Sequence, residues 1–431
     1  MPTQAPPAGG HPLIGYLALA LPPGFVLADT AAALARGWTV ESRFDRLVLA
    51  TLAAVLVAVT GVALVPRTRR WLAASWAKLL ALSVALCLSW LVAEALLGPL
   101  LAAISEPLHA RQPNLQIIYN PVPEVMPGVS GESRFTTNSW GVRGPEPPGR
   151  SQAHRILCIG GSSTACTYLD DTESWPAILM EQLDQQNPRS KQWVANAGLP
   201  GYRSSEHLEF VEHSELMDRI DCLIVQAGIN DFMRVLRGEP PAPPLWHHSR
   251  VWRLVQKLRL GYSQGSIVVE DAAGRVYARR RALRSAAPIT DARPDLHPDL
   301  DAYANRARAI VRGCRQRGVR PIFTSQPTLW RRDLTPALQR LLWFGEMSDG
   351  RYLSVAELRA GMDQYNAAVR SVCAEMNVDF VDLAEMDGRE EFFYDDCHYT
   401  EAGARKLASI LAHWLPEHPG ETPSAKGAAS P

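Results

Sequence analysis

With 431 residues, the chain is long enough for one large domain and accessory parts. Its 44 Lys and Arg residues equal its 44 Asp and Glu residues, and this balance excludes a global electrostatic footprint for nucleic acid. The seven cysteines are odd in number and scattered, so they exclude a fully paired disulfide framework, and they show no CxxC zinc pattern.

Apolar segments near the N-terminus predict a membrane region over residues 1–110. Leu47–Val65 has 19 residues and no charge, which as a helix is about 28 Å long and close to the roughly 30 Å of bilayer hydrocarbon. Leu79–Gly98 is a second predicted span, with Glu94 as its only charge. Pro12–Ala35 is apolar but contains two adjacent prolines. It is therefore either a third, kinked span or a helix in the interface.

The distribution of basic residues around the two spans bears on orientation. Four lie between the spans, namely Arg67, Arg69, Arg70 and Lys78. Four lie on the other side of both, namely Arg36, Arg43, Arg46 and Arg111. The counts are equal, but the cluster of three arginines directly after Val65 favours a cytoplasmic loop between the spans. We therefore expect an integral membrane protein whose larger domain is extracytoplasmic.

A glycine-rich turn carries the first candidate catalytic residue. The apolar run Ile156–Ile159 predicts a buried strand, and GGSST follows it at Gly160–Thr164. Ser162 therefore falls at the carboxyl end of a strand, the edge where open parallel sheets place their sites. A serine hydroxyl is a poor nucleophile unless a neighbouring base takes its proton. Ser163 is the adjacent alternative.

Two further strand ends supply candidates for stabilising the oxyanion that forms when a serine attacks a carbonyl. Gly201 ends the sequence NAGLPG, which follows the predicted strand Trp193–Ala195. Asn230 lies in GIND, just past the predicted strand Leu223–Val225. Both lie at the same sheet edge as the serine turn, so we propose them as oxyanion donors. Asp231 is expected to cap a helix or to support the site from outside.

A basic stretch after GIND is interpreted as an insertion at about residues 232–300. It has twelve Lys and Arg against six Asp and Glu. Apolar residues at helical spacing predict a basic amphipathic helix within it, namely Val251, Leu254, Val255 and Leu258. Such a helix lies on anionic headgroups or lines an anionic substrate groove, or it simply packs on the domain with a solvated basic face. His247 and His248 lack partners at metal-ligand spacing and are expected at the surface.

The third candidate segment is DDCH. Asp395 and His398 lie three residues apart on a turn ahead of the predicted helix Thr400–Trp414, so one loop can hold a carboxylate and an imidazole together. A base next to a serine needs such a carboxylate to fix its tautomer. Asp396 is the alternative carboxylate. Cys397 lies between the pair but is assigned no role.

Alternating strand and helix patterns predict a three-layer α/β/α domain with a five-stranded, mostly parallel sheet. Strands are expected near Ile156, Val194, Leu223, Ile322 and Phe380, with helices near 174–186, 204–217, 299–317 and 354–376. The predicted organisation has four parts: the membrane region 1–110, a linker and lead-in segment 111–150, the α/β domain 151–416, and a disordered tail 417–431 rich in Pro, Ala, Gly and Ser.

These blocks, in this order from about Arg155 to Leu411, resemble the SGNH hydrolase superfamily, also called GDSL esterases. The family has a serine block, a glycine block, a GxND block and a DxxH block. The resemblance implies five site residues: Ser162 as nucleophile, Gly201 and Asn230 as oxyanion donors together with the Ser162 amide, His398 as base and Asp395 to orient it. It implies a mechanism that needs no metal and no organic cofactor.

The family register also bears on the open alternatives. Aligning GGSST with the family's GDSLT favours Ser162 over Ser163, and the DxxH spacing favours Asp395 over Asp396. The chain departs from the family at Gly161, where the common serine block has aspartate. Membrane-linked relatives look similar to this chain, because their serine block also has the sequence GGSS. The sequence TNSWGVRGPE, within Phe135–Glu146, also looks like the lead-in of these relatives, but its residues suggest no chemical role.

From the site, the membrane region and the resemblance, we expect a membrane-anchored serine ester hydrolase acting on O-acyl groups of envelope glycans or lipids. The expected partners are that acylated glycan or lipid and membrane lipid. One alternative is an O-acyltransferase, in which a sugar hydroxyl attacks the same acyl enzyme. Another is a catalytically inert glycan-binding module that retains the fold.

Overall fold

The structure is a computed structural model that describes residues 12–36, 38, 40, 43–104, 111–238, 244–252, 254–255 and 267–419. These residues form two compact units. The first contains the described residues up to 104 together with those between 244 and 255. The second contains the remainder. The stretch 232–300 is thus divided between the two units.

Three long helices make up most of the first unit: α1 (Pro12–Ala35), α2 (Arg43–Leu64) and α3 (Pro66–Ile104). Each is long and apolar enough to cross a membrane. The helix α1 continues through its two prolines and packs against both neighbours. Tyr16 Oη lies 3.2 Å from Thr60 Oγ1 of α2. A Cβ on Gly15 would lie 2.7 Å from the carbonyl oxygen of Leu72 in α3, so glycine permits this close approach.

A short returning segment completes the first unit. It forms a 3-10 helix at Leu245–His248 and a helical turn that begins at Arg250. Trp246 and Trp252 contact each other edge to face, with ring centroids 4.6 Å apart, and Trp252 stacks on Phe44 at 5.5 Å. Of the predicted amphipathic helix, Val251, Leu254 and Val255 are described here, whereas Leu258 lies outside the described residues.

The second unit is built on a parallel five-stranded sheet. Its strands are β3 (His154–Gly160), β4 (Gln192–Asn196), β5 (Cys222–Gln226), β8 (Arg320–Thr324) and β10 (Asp379–Val381). They lie in the order β10-β8-β5-β3-β4. Every residue of the central β5 is buried, as expected for a parallel strand covered on both faces. The predicted five-stranded α/β fold is confirmed.

The described residues of the second unit also form α-helices. They are α4 (Ser162–Ala165), α5 (Trp175–Gln186), α6 (Ser204–His213), α7 (Ile229–Arg237), α8 (Arg275–Ala286), α9 (His297–Gln316), α10 (Pro336–Gln339), α11 (Val355–Met376) and α12 (Glu401–Glu417). Four of the long helices match the predicted ones within a few residues, because their apolar stripes are regular. The tail predicted from 417 begins at the last residue of α12, and beyond residue 419 it lies outside the described residues.

A second, three-stranded sheet joins the lead-in segment to the stretch after GIND. It has the order β2-β1-β6, with β1 at Gln116–Pro121, β2 at Ser133–Thr136 and β6 at Ile267–Ala273. The strands β1 and β6 pair in parallel, and β6 leads directly into α8. The two-residue strands β7 (Ile289–Thr290) and β9 (Tyr352–Leu353) form a small separate pair.

Two arginines of α8 are buried. The guanidinium of Arg281 donates to the carbonyl oxygens of Leu341, Val125 and Tyr394 at 2.6–2.9 Å. Arg284 donates to the carbonyl oxygens of Phe344 and Leu353. These bonds fasten α8 to the loops before α11 and before His398, so this part of the stretch 232–300 is integral to the domain.

Candidate active site

The turn between β3 and α4 places Ser162 at the carboxyl edge of the sheet. Both glycines before it lie very close to neighbouring groups. A Cβ on Gly160 would lie 2.1 Å from Thr164 Oγ1, and a Cβ on Gly161 would lie 2.4 Å from Asn230 Nδ2. An aspartate at position 161 would therefore require Asn230 to move.

Ser162, His398 and Asp395 form a continuous hydrogen-bonded chain. His398 Nε2 lies 2.7 Å from Ser162 Oγ, and His398 Nδ1 lies 2.7 Å from Asp395 Oδ2. Ser162 is half-buried, and the other two residues are buried. Such an arrangement allows the imidazole to accept the serine proton while the carboxylate stabilises the resulting cation. The structure thus brings together the three residues named from sequence.

Asp395 is held in its ionised form by donors on all sides. Its Oδ1 accepts the backbone N–H groups of Cys397 and His398 at 3.0 and 2.9 Å. Its Oδ2 also accepts the indole N–H of Trp343 at 2.9 Å. Burial alone would raise the pKa of Asp395, but the neighbouring imidazole and the backbone N–H groups of Cys397 and His398 lower it below its ordinary value. The carboxylate therefore remains charged next to His398.

The two alternative residues make different contacts. Ser163 is buried, and its hydroxyl donates to the carbonyl oxygen of Cys397 at 3.4 Å. Asp396 accepts from Trp330 Nε1 at 2.7 Å and from the backbone N–H groups of Trp343 and Phe344 at 2.7 and 3.1 Å. Burial and then the charge of Asp395 raise the pKa of Asp396. Asp396 therefore organises the loop that carries Trp343.

Gly201 and Asn230 lie at the same edge. Gly201 adopts a φ of +83°, a left-handed conformation that favours glycine, in a turn closed by the Tyr202 N–H bonded to the Leu199 carbonyl oxygen at 3.1 Å. Asn230 Nδ2 donates to the carbonyl oxygen of Tyr202 at 2.8 Å. The Asn230 amide is thus fixed between the Gly201 turn and Gly161, beside the serine turn.

Asp231 supports this arrangement from behind. It is buried and accepts from the backbone N–H and the hydroxyl of Ser204, the first residue of α6. It also pairs with Arg306 at 3.3 Å. Burial raises the pKa of Asp231 despite these donors. The carboxylate therefore ties the start of α6, just after the Gly201 turn, to α7, consistent with the supporting role expected from sequence.

Arg143, a buried arginine in the lead-in segment, is not among the site residues predicted from the sequence. The guanidinium of Arg143 donates to the carbonyl oxygens of Ala165, Cys166 and Leu169 at 2.8–2.9 Å. It also pairs with Asp171 at 2.9 Å. These bonds hold the chain that leaves α4, the helix that Ser162 begins. The signal in the sequence is TNSWGVRGPE, in which Arg143 is the only basic residue.

Aromatic rings surround the imidazole. Tyr394 stacks on His398 with ring centroids 5.5 Å apart, Trp343 stacks at 6.3 Å, and Tyr277 of α8 contacts it at 5.4 Å. Burial and then charges including that of Asp395 raise the pKa of Tyr277 well above its ordinary value, and the pKa of Tyr394 is raised in the same direction, chiefly by burial. Both phenols therefore remain neutral. These rings restrict the imidazole to one orientation.

One group of possible metal ligands occurs among the described residues, namely Asp395, Cys397 and His398, with ligand atoms within 4.8 Å of one another. Burial, followed by the charges of Asp395 and Asp396, raises the pKa of Cys397 well above its ordinary value, so the thiol retains its proton. The hydrogen bonds that join Asp395, His398 and Ser162 account for this grouping.

Comparisons with known proteins identify a family and several similar solved structures. The model of the GDSL-like Lipase/Acylhydrolase family matches residues 158–406. No curated protein matches the chain. Among solved structures, the chain is similar to Axe2, an acetylxylan esterase from Geobacillus stearothermophilus, with 17% identity over 63% of this chain and 97% of that one and a TM-score of 0.36. It is also similar to LAE5, an alpha/beta hydrolase from the metagenome of Lake Arreo, with 15% identity over 61% and 97% of the two chains and a TM-score of 0.37.

Proposed function

Because the chain belongs to the GDSL-like lipase/acylhydrolase family, we propose that it is a membrane-anchored serine esterase with Ser162 as its nucleophile. The observation that carries the proposal is the hydrogen-bonded chain from Ser162 Oγ through His398 to Asp395, with both links at 2.7 Å. Asp395 stays ionised because its pKa is lowered, so it can stabilise an imidazolium on His398.

The first half of the reaction forms an acyl enzyme. Ser162 Oγ attacks the ester carbonyl carbon while His398 Nε2 takes the hydroxyl proton. Negative charge develops on the carbonyl oxygen, and the amides of Ser162 and Gly201 and the side chain of Asn230 donate to it. Collapse of this intermediate breaks the bond to the alcohol oxygen. His398 returns its proton to that oxygen, and the alcohol leaves.

The second half releases the acyl group. Water attacks the acyl enzyme while His398 takes its proton, and the same donors stabilise the second oxyanion. Collapse returns the proton to Ser162 Oγ and frees a carboxylic acid. The positions of α6 and α7 support this reaction, because Asp231, the residue after Asn230, is bonded to Ser204, which lies three residues after Gly201.

We propose O-acyl groups on envelope glycans or lipids as the substrate class. Support comes from the three helices that are long and apolar enough to span a bilayer, which would keep the enzyme at the cell envelope. With three spans, the N-terminus and the arginines after Val65 lie on one side and the catalytic domain follows α3 on the other. We propose that the latter side is extracytoplasmic, on the basis of the arginine cluster.

A covalent probe tests the proposed nucleophile. The full chain in detergent micelles is treated with a fluorophosphonate and digested, and the labelled peptide is identified by mass spectrometry. We expect labelling at Ser162, none in Ser162→Ala, and retained labelling in Ser163→Ala. A folded wild-type protein that neither takes up the probe nor hydrolyses 4-nitrophenyl acetate would instead support an inert binding module.

A further inference from the structure

The helix α8 carries five arginines that occupy three different environments. Arg281 and Arg284 are buried and bonded to backbone carbonyl oxygens. Arg275 and Arg279 are exposed. Arg280 lies between these extremes, because it is half-buried. Its contacts differ from those of the other four arginines.

The guanidinium of Arg280 lies against the rings that surround the candidate base. Its carbon Cζ is 4.6 Å from the ring centroid of Trp343 and 5.8 Å from that of Tyr277. Both rings in turn contact His398. A cation is held over an aromatic face by its attraction to the ring quadrupole, which leaves the N–H groups of a guanidinium able to donate elsewhere. Arg280 is thus one ring away from the imidazole.

Among the side chains that the structure describes, no carboxylate lies within ion-pair distance of the Arg280 guanidinium. Asp395 and Asp396 accept hydrogen bonds from other donors. Glu270 is exposed, and both Glu270 and Arg280 affect the pKa of Tyr168. Burial and then Glu270 raise the pKa of Tyr168 to about 12, and Arg280 opposes this effect.

We propose that Arg280 binds an anionic group of the substrate, a carboxylate or a phosphate, while the acyl ester lies at Ser162. The inference rests on the proposed esterase function and narrows its substrate class to acidic esters. A planar guanidinium whose N–H donors have no partner among the described side chains matches both oxyanions. An anion placed on the aromatic surface beside the imidazole would orient the rest of the substrate without taking part in bond cleavage. Arg280 is therefore a specificity-determining residue.

Two matched pairs of esters test the proposal and distinguish the source of the anion. Methyl O-acetyl-glucuronoside is compared with methyl O-acetyl-glucoside, which lacks the carboxylate. Lysophosphatidic acid is compared with monoacylglycerol, which lacks the phosphate. The wild-type full chain should favour the charged member of at least one pair in kcat/KM. The pair that shows the preference identifies an acidic glycan or an anionic lipid as the source.

The variants Arg280→Gln and Arg279→Gln remove the same charge from adjacent positions of α8. We expect Arg280→Gln to lower kcat/KM roughly tenfold or more for the charged ester alone, the size expected for a lost charge-assisted hydrogen bond. Arg279→Gln should leave the preference unchanged, and Arg280→Lys should retain part of it.

Equal losses on charged and neutral esters in Arg280→Gln would overturn the inference, because they would indicate a structural role. Wild-type hydrolysis of all four esters without charge preference would overturn it while leaving the esterase function intact. A wild-type protein that hydrolyses none of the four and takes up no fluorophosphonate would overturn the esterase function and this inference together.

Discussion

Trp343 Nε1 donates to Oδ2 of Asp395, the same oxygen that lies 2.7 Å from Nδ1 of His398. One carboxylate oxygen therefore has two N–H partners, and the Trp343 ring also stacks on the imidazole at an interplanar angle of 15°. The indole therefore fixes both the Asp395 carboxylate and the His398 imidazole that this carboxylate orients. This makes Trp343 a positioning residue that acts through Asp395 and His398.

Removing the indole N–H should impair catalysis. We expect Trp343→Phe to lower kcat roughly tenfold to a hundredfold, because a hydrogen bond to a charged group is worth about 1.5–3 kcal/mol. The measurement is the pH profile of kcat on a neutral ester, which should also shift when the partner of His398 is less well fixed. Trp330→Phe is the matched control, since Trp330 donates to Asp396. A profile and kcat identical to wild type in Trp343→Phe would refute the positioning role.

Replacing Arg143 should loosen the chain that follows the serine turn. Arg143→Ala removes the guanidinium donors to three buried carbonyl oxygens and to Asp171, which keeps its hydrogen bonds from Thr136, and a loss of this kind costs about 1–3 kcal/mol. We expect a lower unfolding midpoint and slower fluorophosphonate labelling. The control is Arg134→Ala, whose exposed ion pair with Asp170 should matter little. An unchanged midpoint in Arg143→Ala would contradict this account.

The sheet and the order of the site blocks could be predicted from sequence because they depend on local patterns. The buried strands β3, β5 and β8 are short apolar runs, and Ser162 and Asn230 follow strand ends directly. Parallel strands bring such ends to one edge, so proximity follows from topology. The catalytic roles of these residues remain predictions.

The surroundings of His398 could not be predicted, because they come from distant segments whose contacts have no local signature. Trp343 lies in an irregular loop, and Tyr277 lies on a helix that the charge pattern marks only as basic. The burial of Arg281 depends on carbonyl oxygens contributed by three separate loops. Amphipathic spacing predicts a helix but not the surface on which it packs.

Asn230 is expected to matter in the transition state more than in substrate binding. Asn230→Ala should lower kcat by roughly 100- to 1,000-fold with little change in KM, the usual effect of losing one oxyanion donor. Steady-state kinetics on 4-nitrophenyl acetate measure the two parameters separately. Asn366→Ala is the control, because the amide of Asn366 bonds to the backbone of Gln326. A raised KM with normal kcat in Asn230→Ala would assign Asn230 to ground-state binding.

The start of α6 should respond to acid. Burial tends to raise the pKa of Glu206, but hydrogen bonds from Arg203 lower it from 4.5 to about 2. A carboxyl whose pKa is lower in the folded state stabilises folding above its unfolded-state pKa, and this contribution is lost as pH falls from 4.5 through about 2. The unfolding free energy of wild type should therefore exceed that of Glu206→Gln at pH 7 and approach it near pH 2.

Chemical denaturation followed by tryptophan fluorescence at several pH values measures this difference. Glu212→Gln, on the exposed side of the same helix, removes an equal charge and serves as the control. A gap between wild type and Glu206→Gln that stays constant with pH would show that the ion pair with Arg203 contributes nothing to folding.

Glu94, the single charge of a predicted span, has a specific partner. Its carboxylate accepts the backbone N–H groups of Arg250 and Val251 at 2.8 and 3.1 Å and the hydroxyl of Ser249. Arg250 also donates to the Glu94 carbonyl oxygen at 3.0 Å. An acidic group at this place caps the helical turn that begins at Arg250. The Glu94 carboxylate therefore holds the returning segment against α3.

Removing this cap should release the returning segment. In membrane vesicles that expose it, we expect trypsin to cleave after Arg250 at least about tenfold faster in Glu94→Ala, because charge-assisted hydrogen bonds worth about 1.5–3 kcal/mol are lost. Cleavage after Arg340, an exposed site in the second unit, should be unchanged and serves as the internal control. Glu94→Gln retains a hydrogen-bond acceptor, so its rate of cleavage after Arg250 should lie between those of wild type and Glu94→Ala. Equal cleavage rates in wild type, Glu94→Ala and Glu94→Gln would mean that Glu94 does not hold this segment. The presence of a charge in the apolar span would then need another explanation.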